Sequence, residues 1–362
     1  MSLVWERLGG GPMKVLVLGG YGFYGSRVAQ TFERRGHEVH RGTRRRAGRS
    51  GEVVVNLLGE GGFDALEGFD AVVNCTDSVN APPDRAIEAV LRRGGAGFEA
   101  GAEGGTVERL MSLPQDTEPA RGAAILGVGI FPGWSTLFAA QVAGPQAQKV
   151  DVCIRFSPLS GAGRGNCALM AHSLFVPAVR YEGGQVVVSP TAVGPATDFD
   201  FEGQRRPAIG CALPDTHLVQ QATNAAEVTT YFALEPSWLR WNFRLLAWVS
   251  KALKFLKPLL MVVLTWQLAL VRAWLLRKTP SSVSILAIAE RGSPQECRAG
   301  LHFEDGQQGT ADGIVAAVEA WFAAPSQPTG LHRLSDVLTL EALKSTGLGA
   351  DRVWGLQDPS GP

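Results

Sequence analysis

The chain has no Cys-x-x-Cys pair. Its five cysteines, at 75, 153, 167, 211 and 297, are scattered, with no histidine at ligand spacing. That argues against a disulfide framework or a zinc site and leaves small buried hydrophobes in a reducing compartment. No metal is expected. Charge of one sign is not in excess either. The 34 basic and 34 acidic side chains cancel, so no general attraction to nucleic acid is implied. Gly-x-Ser-x-Gly and His-Glu-x-x-His are both absent, so hydrolase readings lack their usual marks. Met1 to Pro12 has no apolar run of the secretory kind. Met13-Lys14 stands directly before the first strand pattern, so residues 1–12 read as an extension. A cytoplasmic protein is expected, peripheral at most at the inner face of a membrane.

What is present begins with Val15-Leu16-Val17-Leu18, an apolar run that reads as a buried parallel strand. Glycines follow at once, and a helix pattern follows them. Two registers fit, Gly20-x-Gly22-x-x-Gly25 and Gly19-x-x-Gly22-x-x-Gly25. In either, a Cβ at the turn would keep the backbone from a pyrophosphate, and one at Gly25 would hold the helix off the strand. The helix N-terminus then offers N–H groups to the anion. Gly19 to Gly25, including Tyr21, Phe23 and Tyr24, is therefore the candidate cofactor turn. The same pattern fits a tight strand–helix turn that holds nothing. A short-chain dehydrogenase would share the turn but needs Tyr-x-x-x-Lys. The four tyrosines are followed, four residues on, by Gly25, Val28, Gln185 and Glu235.

Val28, Ala29 and Phe32 share one helix face, which ends at Gly36, and His37 to His40 make a second strand. Its end should lie beside the adenosine ribose. An NAD site wants Asp or Glu there, whereas this chain supplies Arg41-Gly42-Thr43-Arg44-Arg45-Arg46 and Arg49. Guanidinium groups suit a 2′-phosphate, so Thr43, Arg44 and Arg45 are assigned to NADP, with NAD the less favoured cofactor. A basic surface loop is the alternative. Further strands are read at Val53–Val55, Ala71–Cys75, Gly97–Ala100 and Ala123–Val128, with a helix opened by Pro82-Pro83. Strands alternating with helices at this spacing mean a parallel, doubly wound sheet of Rossmann type. Ligands then sit beyond the strand C-termini, so Asn74 to Ser78, Glu99 to Glu103 and Phe131 to Ser135 should converge. Asn74, Cys75 and Thr76 join the cofactor-binding set.

This order of pieces resembles the saccharopine dehydrogenase-like family. The resemblance rests on Gly19 to Gly25, Asn74-Cys75-Thr76-Asp77, Gly97 to Glu103 and the turn Gly129 to Ser135, so it covers about the first 145 residues. Fainter echoes are Ala212-Leu213-Pro214-Asp215, Val228 to Phe232 and Gly309 to Asp312. The family often has Asp in place of Glu99 and an acidic residue in place of Phe131. The resemblance implies an NADP-dependent oxidoreductase moving a hydride to or from a C–N or C–C double bond of a small-molecule substrate. Family members include saccharopine, lysine and polyamine-forming dehydrogenases and a lipid-acting reductase. It also implies a second domain for substrate and dimerisation, hence a homodimer. The rival reading is a catalytically silent NADP-binding protein that docks on a membrane or a partner.

From about Lys149 the texture changes. Short β-rich segments at 152–156, 185–189, 228–234, 283–289 and 298–303 suggest a mixed α+β domain with a largely antiparallel sheet. Gly165 to Val176 looks helical, and Thr310 reads as the cap of a last helix carrying Ile314, Val318 and Trp321. The domains expected are 13–148, 149–308 and returning C-terminal helices over 309–354. The segment 236–280 stands out as a basic apolar insert. Between Glu235 and Glu290 there is no acidic residue, but there are eight Lys or Arg and five of the nine Trp. On a helix, Arg240, Arg244, Lys251 and Lys254 share one face, with Leu245, Trp248, Val249, Leu253 and Leu256 opposite. The uncharged run from Pro258 to Val271 falls short of the roughly 20 residues a spanning helix needs. Residues 238–278 are thus candidates for peripheral membrane contact, a dimer interface or a substrate cap.

Asp77 and Glu99, at strand ends, are the acid–base candidates, and each equally fits a capping or loop role. His217 is expected on a loop after Pro214-Asp215, where it could reach the cleft. His172 reads as a buried histidine. Arg155 and Arg164 are candidates for a substrate carboxylate.

Overall fold

The computed structural model describes residues 11–44, 48, 50–59, 62–101, 103–112, 120–157, 164–274 and 281–355, without the side chains of 164–166 and 271–274. Arg45, Arg46 and Arg49, and the side chain of Arg164, lie outside the described residues. The chain divides into two compact units. Unit 1 is Met1–Trp134 with Gln308–Gly349, and unit 2 is Ser135–Gln307 with Ala350–Pro362.

Unit 1 takes β1 (Lys14–Leu18), β2 (Glu38–Thr43), β3 (Glu52–Val54), β4 (Ala71–Asn74), β5 (Ala96–Glu99) and β6 (Ala123–Leu126). β4, β5 and β6 are buried throughout and β1 from Val15 on, as strands covered on both faces should be. Three helices alternate with them. In α1 (Phe23–Arg34), Val28, Ala29 and Phe32 are buried at helical spacing, and Gly36 follows with φ +88°. In α2 (Asp84–Arg93), Pro83 is the N-cap and Ala86, Ile87, Ala89 and Val90 face inward. α3 (Gly104–Met111), which periodicity did not mark, is capped by the Glu103 carboxylate accepting from Gly105 N and Thr106 N.

Unit 2 contains β7 (Lys149–Phe156), β8 (Val179–Glu182), β9 (Gln185–Val188), β10 (Val193–Phe201), β11 (Gln204–Cys211), β12 (Glu227–Leu234), β13 (Val283–Ala289) and β14 (Cys297–Phe303). β15 (Gly330–Arg333) returns to unit 1, and β16 (Arg352–Trp354) ends the unit 2 sheet. That sheet runs β10-β11-β12-β7-β13-β14-β16, with β8 on β12 and β9 on β8. Only β12 with β7 is parallel; the other pairings are antiparallel. The unit 1 sheet has seven strands in the order β15-β6-β5-β4-β1-β2-β3, every pairing parallel. The fold is thus α/β with a Rossmann-type sheet, joined to a mixed and mostly antiparallel α+β unit.

The remaining longer helices are α4 (Trp134–Ala143), α5 (Arg164–Ser173), α6 (Pro214–Thr223), α7 (Leu239–Ala252), α8 (Lys257–Trp274) and α9 (Gly306–Ala323). Thr310 lies inside α9 and so is not its cap, while Ile314, Val318 and Trp321 are buried as expected. Within unit 1, α9 closes tightly on Trp134: a Cβ at Gly313 would come within 2.8 Å of the indole nitrogen. Beneath α1, Arg35 makes two hydrogen bonds to Glu319, at 2.5 and 2.6 Å, with both side chains almost fully buried. His37 Nε2 lies 3.1 Å from the same carboxylate, and its Nδ1 accepts from Met13 N.

The basic apolar insert forms α7, a 3-10 turn at Lys254–Leu256, and α8. No single helix among the described residues is long and apolar enough to cross a membrane, and the two helices are bent by 88°. Phe243, Leu246 and Ala247 of α7 pack with Leu260, Leu264 and Leu268 of α8 against α5. Leu245 and Trp248 turn outward, 61% and 64% exposed.

Candidate functional site

The parallel register sets the site. Leu18 pairs with Gly42 and Asn74, Asn74 with Glu99, and Glu99 with Leu126, so these strand ends stand at one level. Sheet order reverses between β1 and β4, the place where ligands bind in doubly wound sheets. The residues just past that level form a single rim.

Gly19 leaves β1 with φ +72°, a region closed to most side chains. Gly22 N then donates to Gly19 O at 2.7 Å and closes the turn. Gly22 is the N-cap of α1, and no side chain caps it. A Cβ on Gly25 would overlap the Gly19 carbonyl oxygen and lie 2.8 Å from its carbon, so helix and strand end approach each other only through glycine. A Cβ on Gly22 would meet one atom, Gly19 O at 3.0 Å, and otherwise open space. This is a cradle that a side chain would fill. Gly20 packs beside the Arg41 side chain. Phe23 and Tyr24 are the first residues of α1, their rings in edge contact, with the Arg27 guanidinium over Phe23.

At the end of β2, Arg41 pairs with Glu33 at 2.8 Å and lies over the Tyr21 ring, Thr43 is half-buried, and Arg44 is exposed. The sequence from Arg41 to Arg46 offers no carboxylate for the ribose, but the fold brings two near from elsewhere in the chain, Glu33 on Arg41 and one on the neighbouring strand. Glu52 of β3 accepts from the Tyr21 hydroxyl at 2.6 Å and from Gly48 N at 2.6 Å. A residue 31 positions away carries no local signal.

On the other side of the switch, Asn74 and Glu99 lock β4 to β5. Asn74 Nδ2 donates to Glu99 Oε2 at 2.7 Å, while Asn74 Oδ1 accepts from Thr76 N and Thr76 Oγ1. Glu99 Oε1 accepts from Gly101 N at 2.7 Å, and the Ser78 hydroxyl also bonds the carboxyl. Glu99 has no exposed surface. Burial pushes its pKa up to about 7, against the hydrogen bonds from Asn74 and Gly101. Burial also raises the neighbouring Cys75 thiol, and the Glu99 charge adds to it. Asp77 is committed locally: it accepts from Val79 N at 3.1 Å and from Asn80 Nδ2 at 2.6 Å, the turn role that its residue type allows.

In unit 2, His217 is not on a loop. It lies in the first turns of α6, its Nδ1 2.8 Å from the Tyr181 hydroxyl. Asp215, two residues earlier, went unmarked as a site residue in its own right. It is fully buried, accepts from the Ser135 hydroxyl, and has its pKa raised to about 6 by burial. Arg155 does not stand free for a substrate carboxylate, because it pairs with Glu235 at 2.6 Å. Unit 2 also contains a pocket of about 810 Å³ lined in part by Asp151, Arg180, Tyr231 and Arg291. Burial raises the Asp151 carboxyl, and Arg291 opposes that shift from 3.4 Å. The two partners are 140 residues apart in the chain.

The sequence of residues 15–91 matches the model of the NAD dependent epimerase/dehydratase family. That span holds the glycine turn and the β2 arginines, and the match supports a nicotinamide dinucleotide at this rim. No curated protein matches the chain in sequence. Among solved structures, apo saccharopine dehydrogenase (L-Glu forming) from Saccharomyces cerevisiae superposes with a TM-score of 0.61 at 11% identity, over 95% of this chain and 100% of that one. An engineered D-amino acid dehydrogenase bound to NADP+ gives a TM-score of 0.48 at 13% identity, over 92% and 96%. A meso-dapdh mutant of Clostridium tetani gives 0.44 at 12% identity, over 91% and 96%. The superposition with the yeast enzyme takes in nearly all of the chain, and in fold the chain is saccharopine dehydrogenase-like.

Proposed function

We propose that the chain is an oxidoreductase that seats NADP(H) on the rim of the unit 1 sheet. The observation that carries this reading is the cradle at Gly22. It sits at an uncapped helix N-terminus, with open space where a side chain would be. The chain's own part is to hold the pyrophosphate against the N–H groups opening α1 and to meet a 2′-phosphate with Arg41 and Arg44. Asn74, fixed by Glu99, supports the inner end of the rim. When bound, the cofactor supplies or accepts a hydride at its nicotinamide ring, with a C–N or C–C double-bond carbon of the substrate as the other party. Glu99 titrates near neutral pH, and a proton that it exchanges passes through the Ser78 hydroxyl, while Asn74 only holds the carboxyl in place. The L-Glu-forming saccharopine dehydrogenase activity of the yeast neighbour puts amino-acid adducts at the head of a substrate panel.

Titrating the protein with NADPH and with NADH by fluorescence tests the reading. NADPH should bind at least tenfold more tightly, and Arg44→Ala should remove about 1.4 kcal/mol of that preference. Gly22→Val should abolish binding of both while keeping the melting transition, because its Cβ meets only Gly19 O. Equal affinities, unchanged in Arg44→Ala, would instead favour NAD(H), for which Glu52 beside Tyr21 is the ribose-reading carboxylate.

A second reading is favoured by one observation: Asp77, Glu99 and His217 all have protein partners. In it the chain binds the cofactor without turnover. NADPH oxidation or NADP+ reduction across amino-acid and lipid substrates separates the two readings, and a rate lost in Glu99→Gln favours the enzyme.

A further inference from the structure

Folding leaves one face of unit 2 uncovered. Eleven of the 18 exposed large apolar side chains among the described residues fall between Trp238 and Leu270. On α7 they recur at Trp241, Leu245 and Trp248, and on α8 at Leu259, Val262 and Trp266, each set following the helical repeat. The inner faces of the same helices are already covered by α5 and β10, so these side chains are surplus to the core. A contiguous apolar surface of this kind marks a protein or membrane contact.

Charge decides between them. No Asp or Glu occurs from 236 to 289. Arg240 and Arg244 lie over the Trp241 ring, 5.3 and 5.6 Å from its centroid, so the cations border the apolar face. Lys251 and Lys254 are exposed at the bend between the helices. A second copy docking about a two-fold axis would set this acid-free face against itself and bring like charges together. An anionic bilayer has the complementary sign, and tryptophan suits its boundary with water, where one end of the ring is apolar and the other wet. Among the described residues no single helix is long and apolar enough to cross, and the two helices bend by 88°, which fits helices lying in the interface.

We infer that the outer face of α7, the turn after it and α8 docks this protein on the anionic surface of a lipid bilayer. The inference is independent of the cofactor reading. Its test is co-sedimentation of the full chain with phosphatidylcholine vesicles, with and without about one-third phosphatidylglycerol. The protein should pellet with the anionic vesicles at low salt and release at high salt. Lys251→Glu/Lys254→Glu should lower the partition coefficient at least about tenfold. Trp248→Ser/Trp266→Ser should lower it too, and should weaken the quenching of tryptophan fluorescence by brominated lipid, with Trp238 and Trp241 left to report the remainder. Both double variants should melt like the wild type, which serves as the fold control whether or not NADPH binds. Three results would overturn the inference: no pelleting with anionic vesicles at low salt, equal pelleting with neutral vesicles and with Lys251→Glu/Lys254→Glu, or a stable dimer dissociated by Trp248→Ser/Trp266→Ser.

Discussion

The rim of the unit 1 sheet and the outer face of α7 and α8 solve opposite problems. At the rim, both oxygens of Glu99 and the amide of Asn74 are met by named partners, and the Gly25 Cα touches the strand end. Sterics and hydrogen bonding leave little freedom there. On α7 and α8, Trp241, Trp248 and Trp266 project without cover, so the fold leaves their identity open. Sensitivity to substitution should therefore run steeply downhill from the first region to the second.

The sharpest break of that contrast is Gly25→Val. A Cβ overlapping the Gly19 carbonyl has no flexible neighbour to displace, so the variant should lose about 3 kcal/mol or more and all dinucleotide binding. A wild-type melting curve would show that the turn is looser than described. Next comes Glu99→Gln, read through pH. The Glu99 pKa is raised from 4.5 to about 7, so between those values the folded state binds more protons than the unfolded one. Its contribution to stability is thus lost as pH rises through that window, by up to about 3 kcal/mol. Wild-type melting temperature should fall from pH 5 to pH 8, and Glu99→Gln should flatten that slope; a parallel slope in the variant would move the titration elsewhere. The smallest effect belongs to the other region. Trp248→Ser should change stability by no more than about 0.5 kcal/mol, since the side chain is already in water. A loss near that of a core tryptophan would mean that the face is covered in solution.

How much could be read from the chain depended on whether the signal was local. β1, β4 and β6 were legible because apolar runs such as Ala71-Val72-Val73 need no partner to be recognised. β15 was not, because Gly330-Leu331-His332-Arg333 has neither an apolar run nor alternation. The β10–β11 hairpin was missed although Asp198-Phe199-Asp200-Phe201 alternates and Glu202-Gly203, both with positive φ, makes the turn. At the site, the glycine turn and the β2 arginines were readable as adjacent residues. The Glu99–Asn74 lock and the Tyr21–Glu52 contact were not, since only the sheet register brings them together. On the insert, composition was right about the apolar and basic content. Which apolar side chains turn inward was not readable, because Phe243, Leu246 and Ala247 are taken up by residues far upstream in the chain, Ala171 and Leu174 among them.

The buried pair under α1 has a consequence for how the protein is made. Arg35 and His37 are translated early, and Glu319, which meets both, comes more than 280 residues later. β15, which covers the β6 edge, follows later still. On the ribosome the cofactor half therefore waits with an unmatched guanidinium and an open sheet edge while all of β7 through β14 emerges. Removing one partner of such a buried pair typically costs about 3–5 kcal/mol. A nascent chain released before Glu319 therefore has its glycine turn but not the charge that closes the core behind it.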